Sequence, residues 1–223
     1  MGLGEFKTRS NAKRLRVGMG TDDKGRPRAV IAVRSTEGAP GAVQVFKASG
    51  EAALDKDGNT VWRREYEDIS GKVVKIERNS TEYNGKDIHT LDITIADGLD
   101  LYVLQLDRGD EYWGDFAQRA PGVDWSKPVR FAPYSIPREH NPEKRDRLLV
   151  VYQDGNKVER FFKKDDPNGP PKPVFDEDEK KWLWGKRNNW LDNGPVEEAI
   201  KTVTYMSEAG SVPGAGENFD DIV

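Results

Sequence analysis

The sequence predicts a mainly β protein: a five-stranded barrel of the OB-fold-like type, with an added N-terminal hairpin and helical segments at the C-terminal end. Three observations carry that prediction. Period-2 apolar patterning is sustained only between Ser70 and Gln153. Its runs are bounded by Asn84-Gly85 and Asp97-Gly98, the dipeptides that suit tight hairpin turns. Midway the alternation stops, and DEYWGDFAQRA (110–120) sets Trp113, Phe116, Ala117 and Ala120 at helical spacing before strands resume.

The elements follow in order. Residues 1–26 carry five glycines and no usable periodicity, and read as a flexible basic arm. RAVIAVR (28–34) and AVQVFK (42–47) read as strands joined by a Gly/Pro turn cluster, a hairpin added to the barrel, and TVWRREY (60–66) as a further strand with Trp62, Arg64 and Tyr66 on one face. The barrel strands are GKVVKIERN (71–79), IHTLDITIAD (88–97), LDLYVLQLD (99–107), KPVRFAPYSI (127–136) and RLLVVYQ (147–153). The third is apolar on both sides and is expected to be central or covered. Strand, strand, strand, helix, strand, strand is the order of a five-stranded oligonucleotide-binding barrel.

Beyond the barrel, Val158 to Lys164 reads as one more strand, dissolving into a Pro/Gly linker. DEKKWLWGKRNNWL (178–191) reads as partly helical, its tryptophans anchoring it to a domain. PVEEAIKTVTYMSEA (195–209) reads as a helix opened by Pro195. The resulting division is a basic arm over 1–26, a barrel domain over 27–165, a linker and helical extension over 166–206, and a flexible acidic tail over 207–223.

Charge is segregated along the chain. The formal net charge is -4, with 35 Lys and Arg against 39 Asp and Glu. Four of those acids, Glu208, Glu217, Asp220 and Asp221, lie in 207–223, which has no base. The first 34 residues hold nine bases and three acids, a pattern that fits a basic arm and an acidic tail better than a uniform surface. Mean hydropathy is -0.80, with no run of 18 apolar residues, so no membrane span is expected, and the N-terminal residues lack the apolar stretch of a secretory signal. Cysteine is absent, which excludes disulfides and thiolate chemistry and is compatible with a cytoplasmic location.

Candidate binding residues come from the exposed sides of the strands and from two loops. Arg130 and Tyr134 share the outer face of the fourth barrel strand, where a ring can stack on a base and a guanidinium can meet a phosphate. The loop 79–87 offers Tyr83 and Lys86, and the loop 137–147 offers Arg138, Lys144, Arg145 and Arg147, in the places where this architecture closes over a strand. Trp62 and Lys75 complete the candidate set. His89 and His140 are the only histidines, and no catalytic order, P-loop or zinc spacing surrounds them, so neither an enzyme, a cofactor nor a metal is expected.

The tip Glu217-Asn218-Phe219-Asp220-Asp221-Ile222-Val223 resembles the acidic, apolar-ended tip of bacterial and phage single-stranded DNA-binding proteins, although it ends in Val rather than an aromatic residue. GKVVKIERNSTEYNGKD, LYVLQLD, DWSKPVRFAPYSI and LLVVYQDGNKV, within residues 60–165, resemble the barrel of the phage-encoded members. The resemblance implies sequence-tolerant binding of single-stranded DNA during replication, recombination or repair, in the host cytoplasm if viral. It places Tyr83, Lys86, Arg130 and Tyr134 in the groove. It also gives Phe219, Asp220, Asp221, Ile222 and Val223 the docking of replication or recombination proteins. The rival expectation is a carbohydrate-binding or virion structural β-domain.

Overall fold

The computed structural model describes residues 12–21, 26–47, 50–83, 85–163 and 166–209. The elements are β1 (Lys13–Thr21), β2 (Pro27–Ser35), β3 (Ala42–Gln44), β4 (Trp62–Tyr66), β5 (Ile69–Tyr83), β6 (Lys86–Asp97), β7 (Asp100–Asp107), α1 (Glu111–Arg119), β8 (Val129–Arg138), β9 (Asn141–Gln153), β10 (Asn156–Lys157), β11 (Val174–Asp176), β12 (Lys181–Leu183), α2 (Gly185–Leu191) and α3 (Glu197–Ala209). Ten strands form one sheet in the order β10-β9-β8-β5-β6-β7-β1-β2-β4-β3, and β11 with β12 forms a separate ribbon. The protein is mainly β.

The expected strand order over Ser70 to Gln153 is present, but no closed barrel is found among the described residues. Closure would require β9 to reach the free edge of β7. That edge is taken by β1, which pairs parallel with it from Lys13 opposite Tyr102 to Arg16 opposite Gln105. The sheet therefore ends on β10 and β3. The segment expected to be an arm over 1–26 is thus in part a sheet strand; residues 1–11 lie outside the described residues. What holds β1 is Leu15, buried among Ile31, Ile93 and Leu104 in the core cluster.

The N-terminal hairpin also differs from expectation. β2 pairs with β1 and β4, while β3 pairs with β4, so Ala42–Gln44 meets Trp62–Arg64 rather than residues 28–34. Both expected binding loops are strand arms. β5 and β6 stay paired out to Tyr83 opposite Lys86, and β8 and β9 out to Arg138 opposite Asn141, where the turn at Glu139-His140 is only two residues long. Gly71 lets β5 cross close to β6, since a Cβ there would collide with the carbonyl oxygen of Ala96.

One core joins the sheet to the helices. Phe116 of α1 packs 6.3 Å from both Phe131 and Trp125. Asp110 caps α1 by accepting from the Trp113 N–H at 2.8 Å. Leu191, Val196, Ala199 and Val203 belong to the same buried cluster, so the C-terminal helices are docked on the sheet. An ionic clamp fixes them: Asp192 accepts from Arg78 Nε and pairs with Arg108 Nε, each at 3.1 Å, and Arg78 Nη1 reaches Glu197 at 2.7 Å. Arg78 keeps Glu197 below the usual carboxylate range, chiefly through that hydrogen bond.

Residues 158–163 are not a strand. β10 ends at Lys157, and the chain turns across α1, with the Phe161 N–H donating to the Gln118 carbonyl at 2.8 Å. Asp178 to Leu191 splits into the second strand of the ribbon and α2 rather than one helical segment.

Candidate nucleic-acid interface

Alternation along β8 and β9 builds the first part of the site. Arg130 lies opposite Tyr152, Ala132 opposite Val150, and Tyr134 opposite Leu148, all on the sheet face away from Phe131. The Arg130 guanidinium sits 4.3 Å from the Tyr152 ring centroid and pairs with Asp68 at 3.4 Å. The Tyr134 and Tyr152 hydroxyls meet at 3.1 Å. That hydrogen bond, then burial, pushes the Tyr134 phenol above its ordinary value. Ala132 and Val150, at the register position between the two tyrosines, are both buried.

Further along the same face, Leu148, Ile136 and Asp146 lead into a cleft of about 1170 Å³ bounded by the β8–β9 hairpin, α1, the β11–β12 ribbon and α2. Arg138 and Arg147 stand at its hairpin side. Arg138 is held by Asp146 at 2.6 Å and Glu111 at 3.2 Å. Arg147 makes no ion pair among the described residues, although its charge acts on the Asp110 carboxyl and its backbone N–H donates to Glu111 at 3.1 Å. The ribbon side carries Trp182 and Trp184, which are 57% and 49% exposed.

The far wall is cationic. Asp115, 1% exposed as a side chain, accepts from Arg119 Nε at 3.1 Å and Arg160 Nε at 2.6 Å, so one buried carboxylate holds two guanidiniums. Arg187 comes from α2 and, among the described residues, pairs with no acid. Burial first, then the charge of Arg160, pulls its pKa below the ordinary value. Lys163 lines the same wall. An adjoining recess of about 770 Å³ shares Arg160, Lys163 and Arg187 with the cleft.

The expected site residues divide accordingly. Arg130, Tyr134, Arg138 and Arg147 fall at the tyrosine pair or in the cleft. Arg145 is turned back on β8, donating to the Ser135 Oγ and carbonyl at 2.7 and 2.6 Å, and Lys144 borders a smaller recess with Arg138 and Arg147. Four others do not line the cleft. Trp62 is opposite Gln44 near the β3 edge, Lys75 is paired with Glu77 at 2.8 Å, and Tyr83 and Lys86 are at the tip of the β5–β6 arm. Phe219, Asp220, Asp221, Ile222 and Val223 lie outside the described residues.

The outer face of β6 and β7, where an oligonucleotide-binding barrel is expected to carry ligand, holds a buried carboxylate. Asp92 accepts from Asn79 at 2.8 Å, Gln105 at 3.0 Å and Thr90 at 3.2 Å, with Arg14 at 4.0 Å. These bonds satisfy the carboxylate within the sheet. Sequence reasoning missed Arg160, Lys163 and Arg187 altogether. Trp182 lies on β12 and Trp184 at the N-terminal cap of α2, whereas Trp190, packed edge-on 5.0 Å from Phe162, is the anchor.

No family model, curated protein or solved structure matches this chain. No helix among the described residues is long and apolar enough to cross a membrane, and no group of three or more His, Asp or Glu there is placed to hold a metal ion.

Proposed function

We propose that this protein binds single-stranded DNA without strong sequence preference, coating strands exposed in replication, recombination or repair. The observation that carries this reading is the cleft, which two exposed tryptophans share with Arg147, Lys163 and Arg187, cations that form no ion pair among the described residues. Bases have an apolar face that stacks on any aromatic ring, and a cationic wall follows the phosphates without reading sequence. A duplex keeps its bases stacked inside and offers no such face to the tryptophans.

The order β5, β6, β7, α1, β8, β9 supports reading these elements as an oligonucleotide-binding unit whose seam is occupied by β1. The chemistry assigned to it is binding rather than catalysis, with partner docking assigned to the acidic tail. The deciding experiment titrates fluorescent poly-dT against a matched duplex and a glycan panel at two salt concentrations. Salt-sensitive binding of poly-dT in preference to duplex is expected. Equal binding of duplex, or selective binding of a glycan, would overturn the reading.

A further inference from the structure

We infer that Arg160, Arg187 and Lys163 form a seat for one internal phosphodiester of the bound strand, with Asp115 as the residue that fixes its geometry. This rests on the single-stranded DNA reading and deepens it by naming where the backbone is gripped.

Two features set this cluster apart from the other cations of the surface. Most of the other arginines among the described residues are paired with a local acid, as Arg34 is with Asp55 at 2.5 Å and Arg138 with Asp146 at 2.6 Å. Here Asp115 is bonded to both Arg119 and Arg160, while Arg187 and Lys163 line the same cleft and pair with no acid among the described residues. The excess positive charge is therefore fixed in place by the fold. Arg160 spends Nε on Asp115, which orients its plane and leaves the Nη groups for another acceptor. Arg119 is tied back, donating also to the Val158 carbonyl at 2.5 Å, and acts as a brace.

The second feature is desolvation. Arg187 is half-buried, and neighbouring Arg160 opposes its charge. Placing two like charges together in a sheltered wall is unfavourable until an anion arrives. A phosphodiester has two non-bridging oxygens, so it can accept from both guanidiniums at once, and guanidinium forks suit that geometry. Lys163, on the same wall and in the adjoining recess, adds a point charge to the same seat. Trp182 and Trp184 line the same cleft, which leaves the base attached to that phosphate beside an aromatic face.

The test uses the full-length chain and 3′-labelled oligo-dT. Affinity is measured over a salt series for the natural protein, Arg187→Gln, Lys163→Gln and, as a charge control outside the cleft, Lys201→Gln. Removing one phosphate contact lowers the slope of log K against log salt by about 0.7 and weakens binding at low salt by about tenfold. Arg187→Gln and Lys163→Gln should each show this, and Lys201→Gln neither. Thermal melting separates misfolding from lost contact at Arg187, and Lys163 is exposed, so its variant keeps the test open. Unchanged slopes in both cleft variants, with the natural protein still binding, would overturn the seat and leave the proposed function standing. If the natural protein fails to bind any single strand, the proposed function falls and the seat with it. Circular single-stranded DNA should bind as well as linear; binding only of 5′-phosphorylated linear strands would make the seat one for a terminal phosphate and refute the internal assignment.

Discussion

Tyr134 and Tyr152 meet hydroxyl to hydroxyl at 3.1 Å, joining two side chains from β8 and β9 into one aromatic pair on the hairpin. If that pair stacks on bases, its rings should matter more than its hydroxyls. Tyr134→Phe should bind oligo-dT nearly as the natural protein does, whereas Tyr134→Ala should lose roughly 1 to 3 kcal/mol of affinity. Fluorescence titration of both variants, with circular dichroism to confirm folding, checks this. Equal losses in the two would assign the residue to hydroxyl hydrogen bonding.

The tryptophans should separate by role. Trp182→Ala and Trp184→Ala should weaken oligo-dT binding and remove part of the quenching of intrinsic fluorescence on titration, with little change in melting. Trp190→Ala should lower the melting midpoint, because its ring packs against Phe162 and the core cluster. A Trp182 variant that melts early and binds normally would return that residue to a structural role.

Leu15 tests whether the N-terminal segment belongs to the sheet. It is 1% exposed and faces the core. Leu15→Ala should cost about 2 to 5 kcal/mol in urea unfolding, as for other large-to-small core changes. A loss below about 0.5 kcal/mol, the size of an ordinary surface substitution, would mean that β1 is not held there.

Asp110 gives a pH prediction with a definite sign. Burial is the largest influence on its carboxyl and pushes it above the usual range, outweighing the N–H donated by Trp113. A carboxyl raised on folding contributes stability that is fully present below its unfolded pKa and is lost as pH rises through its folded pKa. At neutral pH the charge is therefore held at a cost. Asp110→Asn keeps a capping oxygen and removes that charge, so it should match or exceed the natural protein in stability at pH 7 and lose the advantage in acid. Asp110→Ala should lose about 1 kcal/mol with the cap. Unfolding curves at pH 3 to 8 distinguish these outcomes.

The ionic clamp on the C-terminal helices makes a further prediction. Asp192→Ala leaves Arg78 and Arg108 without their shared acceptor and should destabilise the fold by about 2 kcal/mol, discounted for partly exposed guanidiniums. Glu197 is depressed by Arg78, so its contribution is present above its unfolded pKa and is lost as pH falls through its folded pKa. Glu197→Gln should flatten the acid limb of the stability profile, measured by urea midpoints from pH 3 to 6.

Local pattern was a sound guide where one side of an element is buried. Leu91, Ile93 and Ile95 fill the core, and Trp113, Phe116 and Ala117 lie in the buried stripe of α1 with Ala120 buried at its C-cap, as their spacings of two and of three to four require. The alternation also located Arg130 and Tyr134 on an outer face. It failed where a strand has little local signal of its own. In KRLRVGMGT only Leu15 is fully buried among the residues whose burial is described, and glycines break the rhythm, so nothing in that stretch announces a strand until β7 offers an edge.

The sequence by itself determined the order of the five strands between Ser70 and Gln153, where the helix would interrupt them and which faces of their central parts would be apolar, because those follow from side-chain periodicity along a continuous backbone; it did not show that the strands run on through the two expected loops. Only the tertiary structure decided that the sheet stays open, since pairing at an edge depends on which distant strand arrives there. It alone gathered Arg160, Arg187 and Lys163 against the two exposed tryptophans, because electrostatic fields and cleft walls add up in space, across elements that the linear order keeps apart.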